Sequence, residues 1–171
     1  MSDLNQRSED VSEQEHISGR YLTFVLMSEQ YGLPIKAISE IIGVIHITPV
    51  PNTPVHCKGI INLRGKIIPV VSLRVKFGMP EIPYDEKTCI VIVEVADKES
   101  TRHLGFIVDS VEEVVSFASD AIESTPRYGD SVDPRILSGI GKTSDGSVVM
   151  LLNTSLLVNA DKSDSYAGIS K

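Results

Sequence analysis

Tryptophan is absent from the 171 residues, aromatic residues make up only 5%, and cysteine occurs twice. Two cysteines, Cys57 and Cys89, are too few for a disulfide framework, which points to a reducing, cytoplasmic compartment. No apolar run nears the roughly 20 residues that a membrane-spanning helix requires, so no membrane insertion is expected. The opening stretch, MSDLNQRSEDVSEQEHISG, lacks the basic start and apolar core of a secretory signal. Basic charge is also short. Sixteen Lys and Arg face 23 Asp and Glu, a formal net charge of −7, so the cationic footprint needed for a nucleic-acid partner is missing.

What the chain has instead is aliphatic. Hydrophobic residues make up 42% of it, dominated by Ile and Val, the composition of a β-rich core. Residues 1–19 are polar and acidic and read as a flexible arm; residues 159–171, NADKSDSYAGISK, read as a flexible tail. Order is expected over 20–158. Residues 20–43 read as two strands around a turn near Ser28-Glu29-Gln30, then a short helix or extended turn at Ile38–Ile42, because Ile38, Ile41 and Ile42 share one helical face. Pro49, Pro51 and Pro54 favour a shaped connection over a long regular element. In GIINLRGKIIPVVSLR (59–74) two apolar arms flank Arg64-Gly65, which read as the central residues of a tight hairpin. Pro69 in the second arm cannot donate to a ladder, so an open edge or a bulge is expected there. GMPEIPYDEK (78–87) reads as a linker, and strand, turn, strand and a short helical turn then recur.

The recurrence has a register. YGLPIKAISEII (31–42) lies over LGFIVDSVEEVV (104–115), with Gly32/Gly105, Ile38/Val111 and Ile41/Val114 in step. RGKIIPVVS (64–72) lies over DGSVVMLLN (145–153), with Gly65/Gly146 and Val70/Leu151 in step. About five short strands per half suit a small barrel, whose closure removes exposed edges. The fold class expected is all-β: two small five-stranded β-barrels from one duplicated unit, with short helical turns. Barrel one would span about 20–77 and barrel two about 88–158, with a groove between them.

Catalytic chemistry is not found. SGIGKTSDG (138–146) ends like a phosphate-binding loop, but Ile136 stands where the motif needs its first glycine, and a turn and strand follow in place of a helix. His16, His46, His56 and His103 form no metal spacing with the cysteines. No serine sits in a nucleophile elbow. Cys57 and Cys89 read as packing residues. No catalytic residue, metal site or cofactor is therefore assigned, and the remaining resource is apolar surface. A continuous apolar strand such as CIVIVEV (89–95) needs cover on both faces, from the other barrel or from a partner. Arg64 is then an exposed turn residue, an interface arginine laid over an aliphatic groove, or a structural clamp paired with Glu40. Its counterpart in the repeat is Asp145, so the duplicated frame does not require arginine there.

YGLPIKAISEIIG, PNTPVHCKGIINLRGKIIPVVSLRVKF and GFIVDSVEEVVSF together resemble the CheW family of chemotaxis coupling proteins, over about residues 20–158. The resemblance implies two Src-homology-3-like barrels and a non-enzymatic adaptor, cytoplasmic and recruited to membrane-associated receptor arrays. Its implied partners are chemoreceptor cytoplasmic tips, the regulatory domain of a CheA-type histidine kinase, and other copies in rings. By motif position, Ile38, Glu40, Arg64, Ile90 and Val111 would face the receptor, and Val44, Ile45 and Lys58 the kinase. Ser72 stands where the family's V-V-D-L-R segment has aspartate, and ADKESTRH (96–103) is a longer connection than the family pattern implies. An adaptor of a pili, gliding or developmental pathway is the nearest alternative, and a small-molecule sensor using the groove a more distant one.

Overall fold

The computed structural model describes residues 19–96, 99–124 and 136–158. The tail, all but the last residue of the arm, and part of the 96–103 connection lie outside them. Eleven strands are described: β1 Gly19–Leu26, β2 Glu29–Pro34, β3 Ile38–Gly43, β4 Cys57–Leu63, β5 Lys66–Ser72, β6 Cys89–Ala96, β7 Thr101–Val108, β8 Ser110–Phe117, β9 Ile122–Glu123, β10 Leu137–Lys142 and β11 Val148–Leu152. A four-residue helix, α1 (Leu73–Lys76), follows β5 and is capped by Ser72, whose hydroxyl accepts from the Val75 amide. A helical turn over 154–158 follows β11 in the same way, with the Asn153 side chain accepting from the Leu156 amide at 3.1 Å.

The strands form a six-stranded sheet, β8-β1-β2-β11-β10-β9, and a five-stranded sheet, β3-β6-β7-β5-β4. The all-β class expected from the sequence holds, but in place of two five-stranded barrels, one per half, there are sheets of six and five strands that cut across the halves. The first half gives β1 and β2 to one sheet and β3, β4 and β5 to the other; the second half does the reverse. The exchange respects the repeat. Two short parallel ladders make the joints: β5 meets β7 with Val70 opposite Gly105, and β11 meets β2 with Leu151 opposite Gly32. Those are corresponding pairs, since Val70 aligns with Leu151 and Gly105 with Gly32 in the sequence. Pro69 falls one residue before the parallel ladder begins at Val70, where its missing N–H removes nothing from that ladder.

Three apolar cores result. One lies inside the five-stranded sheet (Ile61, Ile68, Val70, Ile90, Ile92, Ile107) and one inside the six-stranded sheet (Tyr21, Phe117, Val149, Leu151). The largest lies between the sheets and includes Leu22, Phe24, Leu33, Val91, Val93, Phe106 and Leu152. β6 therefore buries both faces, Val91 and Val93 in the central core and Ile90 and Ile92 in the smaller one, which explains its unbroken apolar run.

Two local expectations change. The β1–β2 turn centres on Met27-Ser28, both at positive φ (51° and 67°), one step earlier than the sequence indicates. Ile38–Gly43 is a strand, and the helical turn sits just before it, a 3-10 turn at Ile35–Ala37. The cause is a bulge between Ile38 and Glu40, where the register to β6 slips by one residue. It puts residues three apart, Ile38 and Ile41, on one face and so mimics helical spacing. The same slip occurs in β8 between Val111 and Val114, opposite Phe24 and Leu22. There too the expected helical turn is a strand.

A Cβ on Gly105 would stand 2.8 Å from Ile90 Cγ2 and 3.4 Å from Val70 Cγ2, at the centre of a parallel joint. Gly105→Val is expected to destabilise the fold by about 2–3 kcal/mol through overpacking, read as a lower urea midpoint with an unchanged slope.

Candidate functional site

Arg64 and Gly65 lie at φ 52° and 87°, both in the left-handed region, so the β4–β5 turn is the mirror-image hairpin type that suits strand twist. Glycine adopts that geometry freely; arginine does not, and a turn needing only polarity would carry Asn or Asp there. The Asn62 side chain steadies the turn by accepting from the Gly65 amide at 2.9 Å. The position is thus held for the arginine side chain. Its guanidinium forks onto Glu40: Nη1 donates to Oε1 at 3.0 Å and Nη2 donates to Oε2.

Glu40 sits on β3 and Arg64 at the tip beyond β4, the two edge strands of the five-stranded sheet. The pair bridges the gap between those edges, and the connection after β3 adds a backbone bridge to β4, Thr48 to Ile60. The Arg64 side chain is 70% exposed, so solvent screens the pair and its contribution as a clamp is small. Hydrogen bonding to Arg64 holds the Glu40 carboxyl below its ordinary range and raises Arg64. What the pair supplies is orientation: a guanidinium fixed in direction but still open to a partner.

Ile38 and Val111, the last residues before the two bulges, are half-buried and pack on the central core from opposite sheets, whereas Glu40, beyond the β3 bulge, lies opposite Ile92 on the other face. Ile41 and Val114, one step along on the same faces, are 40% and 41% exposed. Ile90 differs. It is fully buried inside the five-stranded sheet, where its methyl meets Gly105, so it has no surface for a partner and only shapes the wall beneath. Val44 packs on that same small core, whereas its neighbour Ile45 is 39% exposed. Lys58 occupies the β4 bulge and is ion-paired with Glu81 of the linker. The Thr48–Ile60 bridge draws the Val44-Ile45 segment alongside β4 and thus towards Lys58. The glycine stretch 138–142 is simply strand β10, and the Asp145 side chain accepts from the Ser147 amide in the following turn.

Reading by motif passed over Arg74 and Asp109. Arg74, on α1, donates from Nε to Asp109 Oδ1 at 2.6 Å and from Nη2 to Oδ2 at 2.7 Å; its Nη1 donates to the Pro80 carbonyl at 2.8 Å. Asp109, where the chain crosses from β7 to β8, also accepts from the Met27 amide at 2.9 Å, and its own amide donates to the Val25 carbonyl. Both side chains are largely buried. One ion pair therefore ties α1, the linker, the crossover and the β1–β2 turn together. A signal existed in the repeat: Arg74 aligns with Ser155 and Asp109 with Lys36, so opposite charges arise together in only one copy.

Comparison with known proteins follows from this geometry. Residues 20–162 match the CheW-like domain family. The chain is 32% identical over 137 residues to the chemotaxis protein CheW of Klebsiella aerogenes, covering 80% of each chain. It is 32% identical over 132 residues to the chemotaxis protein CheW of Helicobacter pylori, covering 77% of each. The crystal structure of the scaffolding protein TtCheW from Thermoanaerobacter tengcongensis superposes with a TM-score of 0.71 at 35% identity, covering 80% of this chain and 89% of that one.

Two outcomes test the electrostatics. Arg74→Met is expected to lower stability by about 1–3 kcal/mol, between an exposed and a fully buried pair, because it strands a largely buried Asp109 carboxylate. Denaturant unfolding measures it. The Glu40 carboxyl should titrate below an ordinary glutamate by NMR and rise back in Arg64→Ala. Since its folded-state value is depressed, its stabilising effect is present above the unfolded value and is lost as pH falls through the folded one.

Proposed function

Because the chain belongs to the CheW-like domain family, we propose that it couples two partners at once, a receptor tip on one surface and a kinase domain on another. The protein is a non-enzymatic adaptor of chemotaxis signalling. The receptor-facing surface in this reading combines Ile38, Ile41 and Val111 at the rim of the central core as apolar anchors with Arg64, held to the same strand β3 by Glu40, as the polar contact. The observation that carries the proposal is Arg64 itself, set in a backbone conformation arginine disfavours, pre-oriented by a carboxylate and left largely exposed.

A helical receptor tip is the occupant that suits such a site. An apolar stripe at i and i+3 on the tip would meet residues that the β3 bulge spaces in the same way, and a carboxylate on the tip would share the Arg64 fork with Glu40. The kinase-facing surface is assigned to the Val44-Ile45 segment and Lys58, at the other end of the same sheet. Interfaces of this type are modest in area and individually weak, and multiple occupancy in an array supplies avidity. Among the described residues no helix is long and apolar enough to cross a membrane, in keeping with recruitment to receptors through protein contacts.

Ile38→Glu should leave the fold intact and abolish co-sedimentation with receptor-bearing membranes; unchanged co-sedimentation sinks the groove assignment. Calorimetric titration with the regulatory domain of the cognate CheA-type kinase should give a Kd in roughly the micromolar range or tighter, weakened by Ile45→Glu and unaffected by Ile38→Glu. Loss of kinase binding in Ile38→Glu would mean that the two surfaces are one.

A further inference from the structure

The strand exchange leaves each half of the chain unable to complete either sheet. Within the described part of residues 19–77 the only ladders are the β1–β2 and β4–β5 hairpins, and β3 finds its ladder only on β6. Within the described part of 88–158 the ladders are β6–β7, β10–β11 and β9–β10, and β8 finds its ladder only on β1. Everything else that joins the sheets runs between halves: β1 to β8, β2 to β11, β3 to β6 and β5 to β7. Most of the central core is likewise shared, with Leu22, Phe24 and Leu33 from one half against Val91, Val93 and Phe106 from the other.

A second copy of this chain offers each half the same complementary surface, residue for residue. Only the connection across 78–87 distinguishes a partner half in the same chain from one in another. That connection carries Pro80 and Pro83, which favour an extended path, roughly 30 Å over ten residues. Its start is held against the first half by two side chains, Arg74 on the Pro80 carbonyl and Lys58 on Glu81. We propose that two copies exchange halves about this linker, forming a dimer in which each complete pair of sheets takes residues 19–77 from one chain and 88–158 from the other. All strand pairings are kept; the four ladders that cross between halves and the Arg74–Asp109 ion pair now run between chains. The closed monomer is favoured until chain concentration approaches the effective concentration set by the linker, on the order of 1 mM, and the two forms interconvert only through unfolding. The exchanged dimer presents the Arg64 rim twice, on two bodies joined by two linkers.

Complementation tests this without altering the linker. Leu33 and Phe106 occupy equivalent places in β2 and β7, both fully buried in the central core. Leu33→Asp and Phe106→Asp chains, each refolded alone, are expected to remain unfolded by NMR and circular dichroism. Refolded together, they should give up to half of the native signal, in a species of twice the monomer mass, because one of the two exchanged units is then unsubstituted. The unsubstituted chain refolded near 1 mM should give a dimer peak in light scattering that persists on dilution. A double refolding as unfolded as its components, or an unsubstituted chain that stays monomeric, overturns the proposal.

Discussion

Two three-residue parallel ladders, β5 to β7 and β11 to β2, set how closely the halves of this molecule meet. Where β5 meets β7 and β11 meets β2, a glycine in one half faces an aliphatic residue of the other, Gly105 to Val70 and Gly32 to Leu151. The glycines are there for closeness, because a side chain at either place would meet its neighbours at 2.8 to 3.1 Å. Since each sheet draws strands from both halves, no core in the molecule can form until the halves are in register. Cooperativity is thus built into the topology, and the linker has little to do beyond keeping the halves near one another. The order in which the chain visits its sheets also explains why β3 and β8 become edge strands: each follows directly on a crossing from one sheet to the other.

The duplication supplies the frame, and departures from it supply the individuality. Gly32/Gly105, Val70/Leu151 and the two edge-strand bulges repeat because they are conditions for the fold. Glu40 repeats as Glu113, but the arginines and their surroundings do not. Arg64 answers to Asp145, which folds back on its own turn, and Arg74-Asp109 answers to Ser155-Lys36. One copy thus carries an outward, carboxylate-held guanidinium and the other copy does not. A pseudo-symmetric body with a single polarised corner can distinguish one partner surface from another, which a perfectly repeated one could not.

Much of this was legible in the residues. The turn at Arg64-Gly65, the linker, the repeat register and the all-β class follow from local chemistry that tertiary packing does not override. Three things were not. A bulge lengthens one strand by a residue, so Ile38 and Ile41 acquire helical spacing while remaining in a strand; period alone cannot separate these. An unbroken apolar strand does not reveal which of its faces is enclosed, so Ile90 and Val91 look alike although they fill different cores, and Ile90 cannot touch a partner. A duplicated sequence also fits strands paired within a half or across halves equally well, because the pairing residues are equivalent. Only the three-dimensional register decides.

The contrast between the two arginines shows how one residue type is given opposite tasks. Arg74 and Asp109 are largely removed from water and share four elements, so their geometry is enforced from every side and their loss is felt by the whole fold. Arg64 and Glu40 make the same bidentate fork in the open, where screening leaves little net stabilisation. A clamp would be placed where solvent does not weaken it, as Arg74 is. An exposed fork on a conformationally disfavoured turn residue, bridging the open edges of a sheet, adds little to the fold, and it is this surplus that supports the proposed partner contact. In that reading Glu40 keeps the guanidinium aimed, and because its own bond is weak in water, it shares the fork with an incoming acid at little cost.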